Sequence, residues 1–146
     1  MSEVISIFKQ QAVFMEASGQ TVGLPNGGQS ELYAKLIKEE VTETFNAWNA
    51  AVRTIDSDTF DPVAAIIEVA DGLIDTIYVC IGMMHSLGID PESAWNEVHG
   101  SNLTKIDPTT GFVIRREDGK ILKPESYRPP DLEKVIRMSW NIEEAA

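Results

Sequence analysis

Six carboxylates fall in two short stretches whose spacing is helical and whose surroundings are apolar. In LIKEEVTETFNAW, residues 36–48, they are Glu39, Glu40 and Glu43; in EVADGLIDTIYV, residues 68–79, they are Glu68, Asp71 and Asp75. The second set is spaced i, i+3, i+7, so a helix carries all three on one face. From Val63 to Leu87 almost every other residue is apolar, which predicts a helix buried on all sides. A carboxylate in that setting is costly unless it is protonated or paired. Yet no Lys or Arg lies between Arg53 and Lys105, and only His85 and His99 are nearby. A bound divalent cation is the economical counter-charge, and oxygen-only ligands select a hard ion, Mg2+ or Mn2+.

The first stretch makes a similar case. At about 100° per residue, Val41, Phe45, Trp48 and Val52 form one apolar stripe while Glu39, Glu40 and Glu43 point away from it. The glutamates share their side with Leu32, Leu36, Ala47, Ala50 and Ala51, and Lys35, Lys38, Thr42, Asn46, Asn49 and Arg53 form a third, polar stripe. The acids are therefore expected to look inward. The competing explanation is a solvated helix face. It suits an isolated EExxE pattern better than it suits three acids inside an apolar helix.

These helices must be held by the rest of a 146-residue chain that is 43% hydrophobic, enough for one domain, 1–146, with a real core. A net charge of −11 argues against nucleic acid or an anionic membrane as the main partner. The single cysteine, Cys80, sits in the most apolar segment and reads as packing. The start, MSEVISIFKQQ, lacks a signal-peptide pattern, and the run from Ile74 to Leu87 is too short to span a bilayer. A soluble, cytoplasmic protein is expected.

Val4, Ile5, Phe8, Gln11, Ala12 and Met15 predict a first helix ending near Ser18-Gly19. The loop GQTVGLPNGGQS follows, a candidate lid over a ligand, with Ser30 as N-cap of a second helix running to Thr54. DSDTFDP is a turn, and Asp61-Pro62 opens a third helix ending at Leu87-Gly88. Asp90 and Pro91 start a fourth that carries Ala94, Trp95 and Val98 and extends through Asn102 to Lys105. The fold expected is all-α: a four-helix-bundle core, a C-terminal hairpin-like arm turning at Asp118-Gly119, and a short final helix capped by Asp131.

Charge is uneven along the chain. Of 12 Lys and Arg, six lie between 105 and 128: Lys105, Arg115, Arg116, Lys120, Lys123 and Arg128. The segment 105–130 is thus a locally basic arm in an acidic protein, suited to phosphate capture. The helices also leave a shortage of cover. Three main helices and a short fourth cannot enclose a third that is apolar all round, so a symmetric dimer is expected to supply the missing layer.

The EExxE of Glu39, Glu40 and Glu43, followed on the next helix by an ExxD-type motif, resembles the all-α nucleotide pyrophosphohydrolases related to MazG and to phosphoribosyl-ATP pyrophosphatase. DGLIDTIYVCIGMMHSLGID, EVHGSNLTKID and RREDGKILKPESYRPPDL extend the likeness over most of the chain after Ser30. The second motif reads either as Glu68 with Asp71 or as Asp71 with Asp75; the aspartate-then-aromatic setting of Asp75 favours the latter, with Glu68 as a possible third. The resemblance implies cleavage of a nucleoside triphosphate between its α and β phosphates. It implies two or more Mg2+ on Glu40, Glu43, Asp71 and Asp75, and Glu39 as general base or water-orienting group. Asn102, Lys105, Arg116, Lys120, Lys123 and Tyr127 become the substrate contacts, acting if need be across a subunit boundary, and Trp48, Asn49 and Trp95 are candidates to reach the base. It also implies a homodimer or a dimer of dimers. Two other classes stay open: a hydrolase releasing single phosphates, and a nucleotide sensor without turnover.

Overall fold

The computed structural model describes residues 5–55, 57–58 and 61–142. Val4 of the first helical stripe, and Asp56, Thr59 and Phe60 of the DSDTFDP turn, lie outside them. The described residues form five helices: α1 (Ile7–Ala17), α2 (Gly27–Thr54), α3 (Pro62–Ser86), α4 (Pro91–Leu103) and α5 (Leu132–Ser139). Their β structure is limited to isolated bridges, so the all-α class with a short final helix is borne out. No helix among the described residues is long and apolar enough to cross a membrane.

The chain divides into two compact units, Met1–Gly88 and Ile89–Ala146. In the first, α2 packs along α3 and α1 packs on α3. The α2–α3 pair is antiparallel, with two glycines of α3 marking its register. Gly82 lies against the ring of Tyr33, and Gly72 lies against Thr44, where an added Cβ would overlap the Thr44 hydroxyl and stand 3.1 Å from its Cα. Met15, Tyr33 and Val79 form the core, with Val22, Leu36, Ile37 and Met83 packed around them. Burying a side chain such as Met15 contributes about 1.5–3 kcal/mol.

This core occupies one end of the pair. At about 1.5 Å per residue, the 11-residue α1 covers less than half of the 25-residue α3. Its contacts, Phe14 edge-on to Tyr78 and the Phe8 carbonyl 3.0 Å from His85 Nε2, fall on the second half of α3. The expectation that α3 is buried on all sides is therefore corrected for a single chain: Leu73, Ile74 and Ile77 are 52%, 62% and 50% exposed.

The glycine-rich segment before α2 is tied down. Gln29 donates from Nε2 to Ser86 Oγ and to the Thr21 carbonyl, both at 2.8 Å, and accepts from Thr21 N–H; Asn26 N–H donates to the Ser86 carbonyl at 2.8 Å. Instead of a free lid, it is a strap fastened to the end of α3. The cap of α2 is Asn26 rather than Ser30, because Asn26 Oδ1 accepts from Gln29 N–H at 3.1 Å and the helix opens at Gly27. Asp61, Asp90 and Asp131 cap α3, α4 and α5 as expected.

In the second unit α4 packs on α5. α4 stops at Leu103, two residues short of Lys105, with Thr104 as its C-cap. The arm turns where Asp118-Gly119 predicts. Gly119 has φ +81°, Arg116 N–H donates to the Lys120 carbonyl at 2.9 Å, and Arg115 bridges to Ile121.

Candidate functional site

The α2–α3 seam has two unlike edges. One is an apolar groove of about 320 Å³, lined by Val41, Thr44, Phe45 and Trp48 from α2 and by Val69, Leu73 and Thr76 from α3. Phe45 and Trp48 meet there edge to face, ring centroids 6.3 Å apart. No acid lines it. Trp48, a candidate for reaching a base, therefore belongs to the groove and not to the acids. Asn49 is exposed on α2, and Trp95 is exposed in the second unit, stacked on His99.

The other edge carries the acids. Glu40 is half-buried at the seam, and its carboxyl is raised above the ordinary 4.5, first by loss of solvent and then by the negative charges of Asp75, Glu43, Glu39 and Asp71. Glu40 and the four carboxylates that act on it are thus five of the six sequence candidates, three from α2 and two from α3. Glu68 is not among the charges that act on Glu40. It lies further along the seam, in a depression shared with Ala47, Ala50, Ala51, Thr54, Ala64 and Ala65.

The inward orientation expected of the acids is corrected within one chain. Glu39, Glu43, Glu68, Asp71 and Asp75 are exposed. Tyr33, Thr44 and Ala51 are the buried residues of α2, so at about 100° per residue Glu40 falls beside the line of contact with α3 while Glu39 and Glu43 swing outward. Both line a shallow depression with Lys35, Lys38, Thr42 and Asn46.

None of the three ion pairs among the described residues involves these acids. Nor do the side chains gather, among the described residues, into a group of three or more His, Cys, Asp or Glu able to hold a metal ion. The donor set still fits one class of ion. Mg2+ keeps several waters and takes one or two carboxylates together with substrate phosphates, so it needs no protein cage. An all-carboxylate edge with mutual repulsion at Glu40 meets that requirement.

The arm's candidates are partly engaged within their own unit. Lys105 Nζ donates to Asn102 Oδ1 at 2.7 Å, Arg116 is paired with Asp118, and Lys123 Nζ lies 4.4 Å from the centre of the Tyr127 ring. Lys120 N–H donates to Asp118 Oδ1. Arg128 is committed to Glu97. Cys80 is half-buried, and burial pushes its thiol up, away from nucleophilic use.

Three uncharged residues at the seam escaped the sequence reading: Thr44, Gly72 and Thr76. Thr44 is buried, donates from Oγ1 to the Glu40 carbonyl at 2.7 Å and lies 3.5 Å from Thr76 Oγ1. The available signal was a lone glycine, Gly72, between two acids in an apolar helix.

A search of curated proteins finds no match. A family model described as phosphoribosyl-ATP pyrophosphohydrolase matches residues 16–102. That span contains α2, α3, all six acids and Asn102, and stops short of the basic arm. On this match, and with its acids set on the seam of α2 and α3, the chain belongs to the phosphoribosyl-ATP pyrophosphohydrolase family.

Proposed function

We propose that the chain hydrolyses the α–β phosphoanhydride bond of a nucleoside triphosphate, releasing pyrophosphate and the nucleoside monophosphate. What carries this reading is the convergence of carboxylates from two helices on Glu40, within the span matched by a pyrophosphohydrolase family. Glu40, Glu43, Asp71 and Asp75 would hold Mg2+ or Mn2+, two or more ions per site, with Glu68 as a further ligand. Bound there, such ions supply positive charge against the phosphates and acidify a water. Glu39 sits beside Glu40 in sequence and is exposed, so it can accept the proton of the attacking water or orient it. The water oxygen joins one phosphorus as the bridging oxygen departs with the other phosphate group.

Asn102, Lys105, Arg116, Lys120, Lys123 and Tyr127 are proposed to meet phosphate oxygens. For Arg116 this means exchanging Asp118 for substrate. The uncovered apolar face of α3, with Ile66, Ile67, Leu73, Ile74 and Ile77 exposed, is proposed to be covered by a second copy in a homodimer or a dimer of dimers. Light scattering checks it: a stable, active particle of 16.1 kDa would rule the assembly out.

The deciding experiment is a panel of canonical and modified NTPs and dNTPs, with phosphoribosyl-ATP included because the family's description names it. Each is incubated with Mg2+ and the products are separated by chromatography. Pyrophosphate and a monophosphate are expected, and a chelator should abolish both. Orthophosphate alone would point to a different bond, and binding without turnover to a sensor.

A further inference from the structure

We propose that Thr44, with Gly72 and Thr76 facing it, is the positioning residue that fixes the spacing between the acids of α2 and those of α3. This rests on reading the acid edge as a divalent-cation site and adds to it a group without charge.

A hydroxyl has a single hydrogen to donate. That of Thr44 is committed to the Glu40 carbonyl at 2.7 Å, so in the 3.5 Å contact with Thr76 the hydrogen comes from Thr76. Back-bonding to the residue four before is common for Thr on helices, and Thr42 does the same to Lys38 at 2.7 Å. Thr44 differs in being buried and in touching α3. The missing side chain of Gly72 lets the α3 backbone settle directly on it. Gly72 follows Asp71 and Thr76 follows Asp75. One buried side chain therefore joins the peptide of Glu40 to the helical turn that carries both aspartates. A slide of α2 against α3 by one residue moves the acids about 1.5 Å, whereas a working constellation must be kept within about 0.5 Å.

The test compares Thr44→Val, which keeps shape and loses the hydroxyl, with Thr44→Ser, which keeps the hydroxyl. Mn2+ affinity is measured by the electron paramagnetic resonance of free Mn2+, and metal-free melting curves follow the fold separately. Thr44→Val should weaken Mn2+ binding about 10–100-fold, the usual loss when a group that orients metal-binding side chains is removed, and Thr44→Ser should recover most of it. If Thr44→Val melts lower but binds Mn2+ like the parent, Thr44 is only packing and the proposal is overturned. If Thr44→Val does not fold, Thr76→Val decides by the same titration, and unchanged affinity there overturns it. A parent chain that binds no Mn2+ overturns the cation reading and this inference together.

Discussion

Glu40 and Glu97 are both half-buried glutamates on helices, and their surroundings move their carboxyls in opposite directions. Glu97 accepts Asp131 N–H at 2.9 Å and Arg128 Nη1 at 2.6 Å, and these bonds hold it below the ordinary 4.5. Asp118 in the same unit is likewise held down, by Arg116. Among the described residues Glu40 has no such partner; solvent loss and four other carboxylates raise it. Loss of solvent raises both carboxyls; at Glu97 the hydrogen bonds outweigh it, whereas at Glu40 the neighbouring carboxylates add to it. A carboxylate that folding satisfies is a fastening, whereas one that folding leaves among like charges suits the cation site proposed above.

The comparison breaks most sharply by removing one charge at each place. Glu40→Gln should lower turnover a hundredfold or more, by analogy with losing an electrostatic catalytic group, yet raise the metal-free melting temperature by relieving repulsion. Glu97→Gln should leave turnover near the parent value and lower the melting temperature. Steady-state kinetics and thermal scanning of both variants check this; a Glu40→Gln chain keeping more than about a tenth of the parent rate would end the assignment.

Divalent ions probe the same contrast without mutation. At a hundredfold excess over Kd, Mg2+ or Mn2+ should stabilise the parent by about 2.7 kcal/mol, read as a rise in melting temperature absent with Na+ at matched ionic strength. Glu40→Gln should blunt the rise and Glu97→Gln should not.

Gly72→Ala tests whether the seam tolerates separation. A methyl there gains up to about 1 kcal/mol of helix propensity but meets Thr44 side chain and backbone, a misfit costing about 1–3 kcal/mol. Lower stability and a lower kcat are expected together, measured by urea denaturation and steady-state assay.

The smallest effect is on pH dependence. Glu40, raised in the folded chain, favours the fold when protonated, so its contribution is lost as pH rises from 4.5 through its folded value. Glu97 and Asp118, lowered, contribute above their ordinary 4.5 and 3.8, and that contribution is lost as pH falls through their folded values. Metal-free denaturation across acid pH should therefore flatten on its upper limb in Glu40→Gln and on its lower limb in Glu97→Gln.

Local signals carried much of the fold. Asp61-Pro62, Asp90-Pro91 and Asp131 mark helix starts because capping is settled within one turn. Ser30 misled for the same local reason, since Asn26 four residues earlier offers an equally good oxygen. Periodicity put Glu39, Glu40 and Glu43 on one side of α2 and Glu68, Asp71 and Asp75 on one face of α3, but it could not say what covers α3. That depends on the length of α1, not on α3. It also could not find Thr44, whose role depends on a residue 32 positions away.

The strap before α2 has a bearing on how the chain reaches this arrangement. Gln29 and Ser86 are 57 residues apart, so they meet only after α2 and α3 have folded back on one another. If the two helices docked one turn out of step, about 5.4 Å, the Gln29 amide and the Asn26 N–H group would lose their Ser86 partners at the end of α3. Unmet polar groups of that kind cost about 1–3 kcal/mol each where water is excluded. Fastening the strap thus proofreads the docking from the far end of the pair: a mispaired intermediate is penalised three turns away from the acids, before any ligand is present to select the right alignment.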